Sequence, residues 1–250
     1  MSGFVRVVGL GPGPSHWITP ETRNALDEAD TIVGYRTYVA RLALREGQTV
    51  HGSDNGDELS RARLALELAE GGARVAVISG GDPGVFAMAA AVFEAIEKGP
   101  PAWRALDVTV LPGVTAMLAA SARLGAVLGN DFCAINLSDN LKPWAVIEKR
   151  LGAAAGADFV IALYNPASNA RPEQIQRAFA VLRAQRPAQT VVVFAKAIGR
   201  PDEEVTVTTL GAADPALADM RTLLLIGAST TRSIERANGG AWLYSPRSLP

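Results

Sequence analysis

The sequence predicts an α/β protein of two α/β lobes, with a mainly parallel sheet in the N-terminal lobe and a mixed sheet in the C-terminal lobe. Three observations carry that reading. Short apolar runs alternate with longer stretches of helical periodicity, the rhythm of a parallel sheet covered by helices. Glycine and proline cluster directly after several of the strand runs. Late in the chain, one strand run follows another through a short turn at Gly199-Arg200-Pro201-Asp202. That turn is too short for a parallel crossover and suits an antiparallel hairpin.

The elements follow in order. Phe4 to Val8 reads as the first strand, and Thr31 to Val33, Val75 to Ile78 and Val108 to Leu111 as further ones. The first helix is expected near Thr19-Pro20-Glu21, where Thr19 can cap and Pro20 suits the first turn. Asp57 to Glu70 places Leu59, Ala62, Leu66 and Ala69 at helical spacing, and Gly71-Gly72 ends it. Val85 to Lys98 is the next helix, stopped by Gly99-Pro100. A change of lobe is expected between Ser121 and Asn130, giving lobes 1–122 and 123–250. The second lobe's strands are expected at Phe132 to Leu137, Phe159 to Leu163, Val191 to Phe194, Val205 to Thr208 and Leu223 to Ile226, with one long helix from Pro172 to Ala184. Asn238-Gly239-Gly240 and Ser245 to Pro250 read as a loop and a loose end.

Composition narrows the function classes. The 250 residues carry a net charge of −1, so no overall field draws the chain to nucleic acid or to a membrane surface. One cysteine, Cys133, forbids a disulfide framework, and with only His16 and His51 no metal site is expected. No apolar run reaches the roughly 20 residues that span a bilayer. No secretory leader pattern precedes the first strand, so a cytoplasmic protein is expected.

Three loops are candidates for chemistry. Gly9-Leu10-Gly11-Pro12-Gly13-Pro14 follows the first strand. A dinucleotide-binding loop would need glycine or alanine where Pro14 stands, and Pro12 removes an amide donor, so this loop is poor at cradling phosphate. Ser79-Gly80-Gly81-Asp82-Pro83-Gly84 follows a second strand and Leu111-Pro112-Gly113-Val114-Thr115-Ala116 a third. In a parallel sheet all three fall at the carboxyl edge, where ligands bind. Two roles fit Asp82: capping the following helix, or accepting hydrogen bonds from a ligand. Thr115 is either a first-turn helical residue or a ligand contact. Tyr164-Asn165-Pro166 is either an ordinary turn or a second-lobe contribution to the site. Ser138-Asp139-Asn140 either caps a helix beginning near Pro143 or forms a polar loop over a substrate. Arg36, Arg41, Lys142, Lys149, Arg150 and Arg171 read mostly as solvated, with a few available to a polycarboxylate. Cys133 reads as a small buried hydrophobe, and His16 has no nucleophile motif beside it. No P-loop lysine, Gly-x-Ser-x-Gly elbow or His-Glu-x-x-His helix occurs.

Taken in this order, Val8 to Gly13, Gly80 to Pro83 and Pro112 to Ala116 resemble three motifs of the tetrapyrrole methylases, the class III S-adenosylmethionine (SAM) methyltransferases. The resemblance runs from about Phe4 to Tyr244. A closer likeness, to a branch acting on a precorrin in cobalamin biosynthesis, rests on Val33 to Tyr38, Gly129 to Ile135, Ser138-Asp139, Pro143 to Glu148 and Ala162 to Pro166. Asn140 departs from that branch, where an apolar residue is expected. The resemblance implies SAM in a cleft between two lobes, a tetrapyrrole substrate and a homodimer. It implies cofactor contacts from Pro12, Gly80, Gly81, Asp82, Val85, Thr115, Ala116, Tyr164, Asn165 and Ala197. Macrocycle contraction in that branch needs an acid or base, for which Asp82, Ser138 and Asp139 are the candidates.

Overall fold

The computed structural model describes residues 3–54, 56–168, 172–237 and 239–248. Arg171, Asn238, Leu249 and Pro250 lie outside the described residues. The chain divides into two compact units, Met1–Thr115 and Ala116–Pro250. The boundary expected at residues 122 and 123 lies inside a helix, Ala116–Leu124, which belongs to the second unit.

The first unit runs β1 (Phe4–Gly9), α1 (Pro20–Glu28), β2 (Thr31–Tyr35), α2 (Arg36–Val39), β3 (Thr49–Ser53), α3 (Glu58–Glu70), β4 (Arg74–Ser79), α4 (Met88–Lys98) and β5 (Asp107–Leu111). Its five strands lie in the order β3-β2-β4-β1-β5 and every pairing is parallel. The sheet is covered on both faces. Val5, Val7, Val75 and Val77 pack against α3 and α4, while Val8, Ile32, Ala76 and Ile78 pack with Ala25, Ala29 and Val39. Burial on both faces is why these strands read as unbroken apolar runs. α1 starts as the sequence predicts: the Thr19 hydroxyl accepts the Thr22 N–H at 3.2 Å.

Two differences stand out. β3 has no counterpart in the sequence analysis, because Thr49–Ser53 is an exposed edge strand with no apolar face to read. α4 begins at Met88, not at Val85. Phe86 takes a left-handed backbone (φ 53°) and Ala87 is extended, so these residues extend the preceding loop. Pro83 O and Ser79 Oγ accept the N–H groups of Ala89 and Met88 at the start of the helix.

The second unit runs α5 (Ala116–Leu124), β6 (Gly125–Ala126), β7 (Phe132–Asn136), α6 (Trp144–Gly156), β8 (Val160–Tyr164), α7 (Gln174–Arg183), β9 (Val191–Lys196), β10 (Glu204–Thr209), β11 (Thr222–Ile226), β12 (Arg232–Glu235) and β13 (Ala241–Tyr244). Its main sheet, β10-β9-β11-β8-β7, is mixed. β7 and β8 are parallel, the other pairings antiparallel, and β9–β10 is the expected hairpin. Ile147 and Leu151 of α6 and Phe179 and Leu182 of α7 pack on one face, against Ile135, Ile161, Leu163 and Leu224.

A third, small sheet, β12-β13-β6, has no counterpart in the sequence analysis; Gly239 and Gly240 lie in the expected loop, between β12 and β13, and Ser245 follows β13. Gly125 pairs with Leu243, and a Cβ on Gly125 would lie 2.8 Å from Leu243 O, so glycine is required there. Ser245 is buried, and its hydroxyl donates to Val127 O at 2.7 Å.

Candidate functional site

In the first unit, β4, β1 and β5 are neighbours and parallel, so their carboxyl ends place the three glycine-proline loops side by side. The loops are bonded to one another. Leu10 N–H donates to Ser79 O at 3.0 Å and Gly11 N–H to Gly81 O at 3.1 Å. Asp82 Oδ1 accepts the Gly84 N–H at 2.8 Å, and its Oδ2 accepts the Gly113 N–H at 3.0 Å. Asp82 therefore does not cap α4. It closes its own loop and ties it to the third.

Several glycines here face other backbone. A Cβ on Gly9 would lie 2.8 Å from Gly81 O and from Gly113 Cα, and one on Gly113 would lie 2.4 Å from Gly81 O. Their small size lets the loops close on each other. Gly81 differs: its φ is +68°, and a Cβ there would meet nothing nearer than 3.8 Å. Gly80 packs against the Tyr38 ring, whose Cζ would lie 2.6 Å from an added Cβ. Thr115 is buried, whereas Pro12, Asp82, Val85 and Ala116 are half-buried.

The electrostatics of this edge do not suit a phosphate. Pro12 and Pro14 lack an N–H, and the Leu10 and Gly11 amides are already donated. α1 begins only at Pro20, so its N-terminus is not the end of the first loop. Arg41 is not a solvated cation: it donates to carbonyls of the first loop. The first loop therefore offers few backbone donors to a dinucleotide pyrophosphate.

In the second unit, β7, β8 and β9 run in one direction, so the segments after them leave from one edge of the sheet. These segments hold Ser138 and Asp139, Tyr164 and Asn165, and Ala197. Asn136 Oδ1 accepts both the Ser138 N–H at 2.9 Å and the Asn165 side-chain amide at 3.1 Å. Leu137 N–H donates to Tyr164 O, and the Tyr164 hydroxyl accepts the Met117 N–H at 3.1 Å. Asp139 Oδ2 accepts from Gln174 Nε2 at 3.1 Å. The N-cap of α6 is Pro143, with no side-chain cap bond, so the Ser138-Asp139 loop is not its cap. Asn165 and Ala197 are both left-handed (φ 51° and 49°), a costly conformation for alanine that clusters at functional sites.

The remaining candidates stand apart. His16 is exposed, edge-to-face with Trp17. Cys133 is half-buried against the core, and burial pushes its thiol pKa up. Burial, with Arg150 nearby, lowers the pKa of Lys142. Lys149 and Arg150 are exposed, and Arg36 makes an exposed pair with Asp54 at 3.4 Å. Among the described residues, no group of three or more His, Cys, Asp or Glu gathers to hold a metal ion, and no helix is long and apolar enough to cross a membrane. The sequence analysis missed Tyr38, Asn136 and Gln174. Tyr38 lies within the Val33 to Tyr38 segment, but its packing partner, Gly80, is far along the chain.

Residues 5–214 match the family description "Tetrapyrrole (Corrin/Porphyrin) Methylases". The chain belongs to this family. Among curated relatives of this tetrapyrrole methylase, the precorrin-3B C(17)-methyltransferase of a Sinorhizobium species is 54% identical over 247 residues, covering 99% of this chain and 97% of that protein. A probable cobalt-factor III C(17)-methyltransferase of Salmonella typhimurium is 45% identical, covering 91% of this chain and 94% of the relative. Among solved structures, that of the methyltransferase CobJ superposes with a TM-score of 0.94 at 52% identity, over 98% of this chain and 100% of CobJ. The α/β architecture of this tetrapyrrole methylase is thus shared with the structure of CobJ.

Proposed function

We propose that the protein is a SAM-dependent C-methyltransferase that methylates C17 of precorrin-3B, with ring contraction to precorrin-4, in cobalamin biosynthesis. The observation that carries this reading is the block of three glycine-proline loops, bonded to one another and stapled by Asp82. The substrate follows the relative at 54% identity in preference to the cobalt-factor relative at 45%.

In this proposal Pro12, Gly80, Gly81, Asp82, Val85, Thr115 and Ala116 hold the methyl donor, and Tyr164, Asn165 and Ala197 are further contacts. SAM, when bound, supplies an electrophilic methyl group on a sulfonium. An electron-rich pyrrolic carbon attacks such a methyl in line without a side-chain nucleophile. The chain's task is to orient the donor and exclude water, which a rigid cross-bonded loop block does well. Ring contraction moves protons. Both Asp82 carboxylate oxygens accept backbone amides, so its role is to hold the loops. The acid or base is assigned to Asp139, steered by Gln174, with Ser138 beside it. The enzyme is proposed to act in the cytoplasm as a homodimer, which light scattering after gel filtration tests.

Incubation with SAM and either metal-free precorrin-3B or cobalt-factor III, read by mass spectrometry, tests the whole reading. A singly methylated product from precorrin-3B alone is expected. Product from the cobalt substrate alone would reassign the substrate, and none from either would overturn the function.

A further inference from the structure

We propose that Arg41 is a positioning residue for the methyl-donor site: its guanidinium sets the curl of the first glycine-proline loop. The inference rests on the reading of that loop as a SAM-binding element.

Arg41 Nη2 lies 2.7 Å from Gly13 O, 3.0 Å from Gly11 O and 3.4 Å from Leu10 O. One half-buried cationic nitrogen thus gathers three carbonyls of a loop about thirty residues away in sequence. Carbonyl oxygens turned toward one point repel one another unless a cation lies among them. The donor is charged, which makes these bonds stronger than neutral ones. On its outer side the loop is anchored by the Leu10 and Gly11 amides to β4 and the second loop. Amides drawn one way and carbonyls the other leave Pro12 in one orientation.

The same short segment supports the second loop. Arg41 N–H donates to Tyr38 O at 3.1 Å, and the Tyr38 ring fills the space beside Gly80 where a Cβ would sit. The Tyr35 ring braces Tyr38 edge-to-face at 5.2 Å. A turn leaving β2 therefore seats two loops that leave β1 and β4.

The test compares wild type, Arg41→Ala and Arg41→Lys by calorimetry with S-adenosylhomocysteine, and by amide hydrogen exchange of the ligand-free proteins. Arg41→Ala is expected to weaken binding by about tenfold or more, the scale of lost charge-assisted hydrogen bonds. Arg41→Lys is expected to recover only part of it, because an ammonium lacks the guanidinium fork. Exchange at Leu10 and Gly11 should accelerate in Arg41→Ala while the strands of the second unit stay protected. In turnover, KM for SAM should rise with kcat nearly unchanged, the mark of lost ground-state binding. Wild-type affinity in Arg41→Ala, or unchanged exchange at Leu10 and Gly11, would overturn the proposal. If Arg41→Ala fails to fold, Arg41→Lys decides: full wild-type affinity refutes the role. If wild type itself does not bind the ligand, the functional reading fails, and the exchange data still judge Arg41's hold on the loop.

Discussion

Asp82 Oδ2 accepts the Gly113 N–H at 3.0 Å, so a carboxylate leaving β4 holds the loop that leaves β5, a strand on the far side of β1. With Gly84 on its other oxygen, Asp82 is an acceptor twice over. Asp82→Ala leaves two amides without their partner. It is expected to cost about 1–3 kcal/mol of stability and to weaken S-adenosylhomocysteine binding. Thermal unfolding and calorimetry check this. Affinity equal to wild type would mean that the staple is irrelevant to the site.

Gly113→Ala tests the close approach itself. The added Cβ would lie 2.4 Å from Gly81 O, and neither group is the end of a flexible side chain. Overpacking of this kind costs about 1–3 kcal/mol. Urea denaturation should show a lower midpoint with little change in slope. An unchanged midpoint would show that the loops separate at no cost.

Asp139→Asn separates proton transfer from structure. Asparagine keeps an oxygen that can accept from Gln174 Nε2, so folding and donor binding should be preserved. Turnover of precorrin-3B is expected to fall by about 10²–10⁴, the usual worth of a general acid or base. Full turnover would remove Asp139 from the mechanism and leave the Ser138-Asp139 loop a purely structural link to α7.

Acid should weaken the β1–β5 edge. Arg6 grips Asp107 with both guanidinium ends, at 2.7 and 2.9 Å, and holds its carboxyl below the usual carboxylate range. A depressed folded pKa contributes stability above the unfolded value, near pH 4, and loses it as pH falls through the folded value. Asp107 is largely exposed, which keeps the effect small. In melts from about pH 6 down to about pH 3, Arg6→Ala should lose less stability than wild type. Parallel curves would show that the pair contributes nothing.

Much of this arrangement was legible in the residues. β1, β2 and β4 are buried on both faces, so their apolar runs announce them. Thr19-Pro20 marks the start of α1 because capping is local chemistry. β3 was not legible, since an exposed edge strand carries no apolar pattern. Nor was the late start of α4: Val85 and Phe86 are apolar like the helix that follows them, and the left-handed backbone at Phe86 sets them outside it. The hairpin of β12 and β13 was not legible either: β12 is exposed throughout, and the pairing partner β6 is only two residues long and far back in the chain.

By itself, the sequence determined the two kinds of sheet, the three glycine-proline loops, the family and the missing amide donors at Pro12 and Pro14 of the first loop. Each is written in local periodicity, in proline's missing N–H or in motif spacing. Only the tertiary structure decided that Asp82 ties loops together and does not cap a helix, that Asn136 joins Ser138 to Asn165, and that Arg41 is drawn into the first loop. Apart from the local Asn136–Ser138 bond, each of these joins segments far apart along the chain, and only the packing of the strands brings them within hydrogen-bond reach.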